Sequence, residues 1–172
     1  MIYPTANDIL RCIDQTLLAS MDTDMPRMSV TSALATCRHL VRHVGLRIAL
    51  EKPVLLDDID QAGALLARVA DYFESAGADH AAMVSNIRSA LAKKPQLVTG
   101  KEDELDVIRE RARELRELIY VTLAALQKFT AEQQAAKAYA DTRQRIRDYM
   151  RYQIEQEARL IDPAFAGQGP RR

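Results

Sequence analysis

His39 and His43 stand four residues apart, the spacing at which one face of a helix can present two imidazole nitrogens to a metal ion. Position 40 is leucine, so the glutamate base that follows the first histidine of a helical zinc protease is missing. Two ligands are also too few. His80 is the remaining histidine, and a carboxylate such as Glu51 or Asp57 would have to complete the shell against the charge of Arg38 and Arg42. The same stretch reads better as an anion site. Arg38, His39, Arg42, His43 and Arg47 make the densest positive surface in the N-terminal half, and the planar guanidinium fork suits phosphate or carboxylate. The reading favoured over both is a solvated or hydrogen-bonded helix face, since helices often carry two or three arginines for solubility alone.

Other clusters carry less. Asp57-Asp58-Ile59-Asp60 lacks the continuing oxygen ligands and final glutamate of a calcium loop. It reads as a helix start, with Asp57 as cap and Asp58 and Asp60 complementing the positive end. Arg143, Arg145, Arg147 and Arg151, with Tyr149 and Tyr152 interleaved, have the composition of a stripe that tracks a nucleic-acid backbone and stacks bases. Successive odd positions spread around a helix, however, and Asp148, Glu155 and Glu157 dilute the charge, so nucleic acid is not an expected partner. Glu110 and Glu114 could belong to a diiron bundle, but that chemistry needs Glu-x-x-His on two helices, and the chain has none. No GxSxG, GxGxxG or GK[ST] pattern occurs. No catalytic residue, metal or cofactor is therefore assigned.

Helices must position these residues. Lys plus Arg and Asp plus Glu number 24 each in 172 residues, so no global field steers the chain toward nucleic acid or an anionic membrane. Tryptophan is absent, while Ala, Leu, Arg, Glu and Gln abound, the alphabet of helices. Breakers fall at Pro4, Pro26, Pro53, Gly77, Pro95, Gly100 and Pro163. A first helix is expected from Thr5 to Met21, capped by Thr5 or Asn7, with Ile9, Ile13 and Leu17 inward. A second runs from Ser29 to Leu50, its core arc made of Val30, Leu34, Cys37, Val41, Val44 and Ile48, with Arg42 and His43 opposed to that arc. A third starts at Asp57, buries Ile59, Leu66, Val69 and Phe73, and ends at Gly77 in a left-handed turn. A fourth, Asp79 to Lys93, carries Met83, Ile87, Ala90 and Leu91. Cys12 and Cys37 read as buried thiols.

From Lys101 to Asp162 there is neither glycine nor proline. Leu105, Ile108, Ala112, Leu115, Ile119, Thr122, Leu126 and Phe129 alternate steps of three and four, a heptad seam. The seam fails at Gln133. There Thr130-Ala-Glu-Gln133 reads as a capping box, and Tyr139, Ile146, Met150, Ile154 and Ile161 follow in another register, which favours a hinged pair over one continuous helix. Charges off the seam alternate in sign from Lys101 to Glu117, as on a solvated face. Leu118 to Leu126 is apolar almost all round and has to be covered by other helices or by a second copy of the chain. Leu115, Ile119, Thr122, Leu126 and Phe129 are accordingly the candidate homodimer interface. The run is about half as long as a membrane-spanning helix requires. The N-terminus, with Pro4, Asp8, Arg11 and Asp14, does not read as a signal peptide, so a soluble cytoplasmic protein is expected.

The expected fold is all-α, an antiparallel bundle of five or six helices in a single domain over residues 1–162, with a long C-terminal helix or hinged pair and a flexible tail over 163–172. Pro4-Thr-Ala-x-x-Ile-Leu-x-x-Ile13 and Leu34-Ala-Thr-Cys-Arg-His-Leu-Val-Arg-His-Val44 resemble the opening of small, uncharacterised bacterial all-helical proteins encoded beside phosphotransferase-like kinases and acyl-CoA dehydrogenases. The likeness covers about the first 50 residues. It implies an accessory role, with a protein partner in acyl-CoA or phosphotransfer metabolism, and carries no catalytic residue. The expected function is a non-enzymatic, self-associating interaction protein. The alternative is a binder or enzyme for an anionic ligand, acyl-CoA or phosphate-bearing, on the Arg38, His39, Arg42 and His43 face.

Overall fold

The computed structural model describes residues 5–20, 27–93 and 104–165, which are helical throughout apart from short connections. The elements are α1 (Ala6–Ser20), α2 (Arg27–Ala76), α3 (Ala81–Ala92), α4 (Glu104–Leu126), α5 (Ala131–Ala135) and α6 (Lys137–Phe165), with one 3-10 turn, Ala78–His80, ahead of α3. The all-α expectation holds. The breaks expected at Pro4, Pro26, Pro95 and Gly100 lie outside the described residues. Thr5 starts α1 as foreseen: its hydroxyl accepts from the Asp8 N–H at 3.2 Å, and the Asp8 carboxylate accepts from the Thr5 N–H at 3.0 Å.

The expected second and third helices are one helix of 50 residues, with Pro53 inside it. Proline removes one N–H and strands the carbonyl four residues back, here that of Ala49. Both Pro53 and Ala49 are exposed, so the stranded carbonyl lies on the solvent side, where its lost partner costs least, and the helix continues. Asp57 consequently caps nothing, and Asp58 and Asp60 meet no helix start. Gly77 does end the helix, but with φ 124 and ψ 170, an extended conformation at positive φ rather than the left-handed helical one.

The long C-terminal stretch is hinged where the sequence places the hinge. Gln133 N–H donates to the Thr130 hydroxyl at 3.3 Å and Thr130 N–H to the Gln133 side chain at 2.9 Å, both halves of a capping box. α6 then runs through Pro163 to Phe165, so the first residues of the expected tail are helical; the remainder lies outside the described residues. On α4 the alternating charges pair as i, i+3 and i, i+4: Arg109 with Asp106, Arg113 with Glu110 and Glu117. Arg111 and Arg116 turn inward instead, each 8% exposed.

The chain packs as two compact units. One is Pro53–Ile154, the other Ile2–Lys52 with Glu155–Arg172. The core of the first is built on Leu66, Val69 and Phe73 of α2, Ile87 of α3, Leu115, Ile119 and Leu126 of α4, and Tyr139, Ile146 and Tyr149 of α6. His80 stacks on Phe129 at 4.6 Å and meets Phe73 edge-on at 5.3 Å, closing one end of it in aromatic rings. In the second, Ile9, Ile13, Cys37 and Val44 form an apolar cluster, with the Cys37 thiol 3.9 Å from the Ile13 carbonyl, and Leu160 of α6 is fully buried as well. Cys12 is exposed, contrary to expectation, and both thiols are free.

Candidate functional site

The positive cluster on α2 is split by the helix that carries it. Arg38 and Arg42 are exposed and His39 is half-buried, whereas His43 and Arg47 are buried. Cys37, Leu40, Val44, Arg47 and Glu51 step by three and four, so the inward seam of this half of α2 passes through a charged pair. Arg47 Nη1 lies 3.6 Å from Glu51 Oε2, and Arg47 Nε donates to His43 Nε2 at 3.3 Å. That bond needs an unprotonated acceptor. Burial, then the neighbouring guanidinium, hold the His43 pKa below the usual histidine value, against the opposing pull of Glu51. His43, placed opposite the core by the sequence reading, is therefore a neutral member of an internal His43–Arg47–Glu51 row.

What the seam leaves outside is apolar. Leu34, Val41 and Ile48, expected in the core, are 52%, 56% and 76% exposed. They recur every seven residues, two helical turns, and so form one stripe. Leu10 and Leu17 repeat that spacing on α1 at 49% and 39% exposure, with Leu18 beside them at 72%. Arg38 and Arg42 flank the α2 stripe, Asp14 the α1 pair, and none of the three is engaged in a hydrogen bond or ion pair among the described residues.

The residues expected at a dimer seam lie elsewhere. Leu115, Ile119, Thr122, Leu126 and Phe129 are buried, none more than 6% exposed, inside the chain's own Pro53–Ile154 unit. They are covered by this chain's own packing. Of the all-round apolar run, Tyr120 and Val121 remain half exposed.

A second polar assembly sits within the same unit. The buried Asp58 carboxylate accepts from Arg116 Nε at 2.8 Å and from the Tyr149 hydroxyl at 2.9 Å, joining α2, α4 and α6. Gln153 donates to the same hydroxyl at 3.0 Å. Burial, then the Asp58 charge and its hydrogen bond, push the Tyr149 pKa far above the ordinary tyrosine value, with Arg116 acting the other way. Beside this assembly a cavity of 330 Å³ opens between α2 and α6, lined among others by Arg68, Arg145, Tyr149 and Tyr152. Of these, Arg145, Tyr149 and Tyr152 belong to the stripe singled out in the sequence, and Arg68 was missed. The signal existed: Arg68 follows Gln61, Ala64 and Leu65 at i+7, i+4 and i+3, on one helix face.

Among the described residues no three His, Cys, Asp or Glu side chains converge as a metal site. Nor is any helix among them long and apolar enough to cross a membrane. Compared with known proteins, the chain matches no family model, no curated protein and no solved structure.

Proposed function

We propose that this chain is a helical interaction protein that self-associates through the exposed apolar flank of α1 and the first half of α2. The observation that carries the reading is the seven-residue repeat of Leu34, Val41 and Ile48 in water, matched by Leu10 and Leu17. Contiguous apolar stripes on an otherwise charged surface mark places where another helix packs. Charge favours a second copy as the occupant. Asp14 beside the α1 leucines and Arg38 and Arg42 beside the α2 stripe have opposite signs, so a two-fold axis that sets α1 of one copy on α2 of the other matches them twice. An antiparallel bundle is part of the same proposal, since short connections and 3-4 seams favour it. The accessory role in acyl-CoA or phosphotransfer metabolism rests on the N-terminal likeness and is its pathway-level part.

The test is sedimentation equilibrium over a concentration series. Wild type is expected as a dimer at about 100 μM, and Val41→Asp, at an exposed position, as a monomer with unchanged helicity. A wild-type monomer at every concentration overturns the reading. So does a Val41→Asp dimer of wild-type affinity.

A further inference from the structure

Gln61, Ala64, Leu65 and Arg68 on α2, and Arg145, Asp148, Tyr149 and Tyr152 on α6, line the 330 Å³ cavity of the Pro53–Ile154 unit. Both sets read i, i+3, i+4, i+7, so the cavity is a groove between one face of each helix. Its α6 wall is held from behind. The Tyr149 hydroxyl is fixed on Asp58, the Tyr152 hydroxyl on Asp57, and the two rings stack with centroids 6.3 Å apart. As α6 ascends, its partners descend α2: Tyr139 and Tyr72 share the Phe129 ring, Tyr149 reaches Asp58, and Tyr152 reaches Asp57. Arg68 and Arg145 accordingly occupy the same end of the groove. Neither is engaged in a hydrogen bond or ion pair among the described residues. The carboxylate nearest in the lining, Asp148, is taken up by Gln144 at 2.9 Å and Arg151 at 3.4 Å.

Two guanidinium groups at one end of a groove whose floor is aliphatic and aromatic make a definite chemical demand. We infer that the groove binds a small organic anion, its carboxylate or phosphate held by Arg68 and Arg145 and its apolar body laid along Ala64, Leu65 and the Tyr149–Tyr152 rings. The volume lies at the lower end of small-molecule pockets, which suits a compact ligand rather than a polymer. Planar forks favour a planar or tetrahedral oxyanion with two free oxygens. The rigid tyrosine wall favours a flat or short aliphatic body. The site uses no residue of the α1–α2 surface, and its occupancy does not depend on self-association.

The experiment is a calorimetric and NMR titration of the full chain with phenyl phosphate, benzoate and inorganic phosphate. Saturable binding of phenyl phosphate or benzoate is expected, with shifts at Arg68, Arg145 and Tyr152, and whichever binds identifies the preferred head group. Arg68→Gln and Arg145→Gln, both at exposed positions, should each weaken it about tenfold or more. Arg147→Gln, on the same helix but outside the groove, should leave it unchanged. Inorganic phosphate should bind more weakly than phenyl phosphate, because it lacks the apolar body. The inference is overturned if none of the probes saturates by about 10 mM. Equal losses in Arg147→Gln, or equal affinity for phosphate and phenyl phosphate, overturn it as well, since either outcome describes diffuse charge rather than a site.

Discussion

Asp58 shows how much a single carboxylate can tie together. Its sequence suggests a helix start, yet it sits on the buried face of α2 and receives Arg116 and Tyr149 from two other helices. Asp58→Ala would leave a buried guanidinium without its counter-charge, and urea denaturation should show a loss of about 3–5 kcal/mol. Tyr149→Phe removes the hydrogen bond to the Asp58 carboxylate, together with the acceptor of Gln153, and should cost about 1.5–3 kcal/mol. His43 makes stability depend on pH. Its folded pKa lies below the unfolded value near 6.5, so the unfolded chain takes up the proton first. The contribution is complete above that pH and is lost as pH falls toward the folded pKa. Denaturation midpoints at pH 8 and pH 5 should therefore differ more for wild type than for His43→Gln. Equal differences would refute the role assigned to the imidazole.

At the scale of elements, the hinge at Thr130 was legible because a capping box is a local device: four residues satisfy their own backbone groups whatever packs around them. Thr130→Ala should cost about 1 kcal/mol by thermal melting. The fusion of α2 was not legible, because a proline's effect depends on whether the stranded carbonyl meets water, and only the folded structure places Ala49 outside. Since the proline is tolerated rather than favoured, Pro53→Ala should raise the melting temperature, by up to about 3 kcal/mol in stability. The seam in the first half of α2 was not legible either. Judged alone, residues 29–50 prefer an arc through Leu34, Val41 and Ile48, whereas the buried seam runs through Cys37, Val44, Arg47 and Glu51. A hydrophobic wheel cannot choose charged residues over apolar ones. The candidate ligand pocket was half visible for a similar reason: Arg145, Tyr149 and Tyr152 stand out by type, while Arg68 gains meaning only once α6 is seen opposite it.

For the whole molecule, the all-α architecture was legible, and its buried faces gather into two compact units. Periodicity finds buried faces, but it does not say which faces share a core. Among the described residues, the Pro53–Ile154 unit buries an apolar cluster drawn from four of the helices, while in Ile2–Lys52 with Glu155–Arg172 a smaller cluster is formed by Ile9, Ile13, Cys37 and Val44, and Leu160 is buried besides. Opening free energy follows buried apolar contact, so the smaller cluster should open more often than the larger. If a second copy covers Leu34, Val41 and Ile48, opening there should slow as protein concentration rises, and hydrogen exchange at two concentrations would detect it. Cys37 lies within that small cluster and Cys12 outside it. The two thiols thus make an internal stopwatch: a maleimide should mark Cys12 at once, and the delay before it marks Cys37 times each breath of the N-terminal helices.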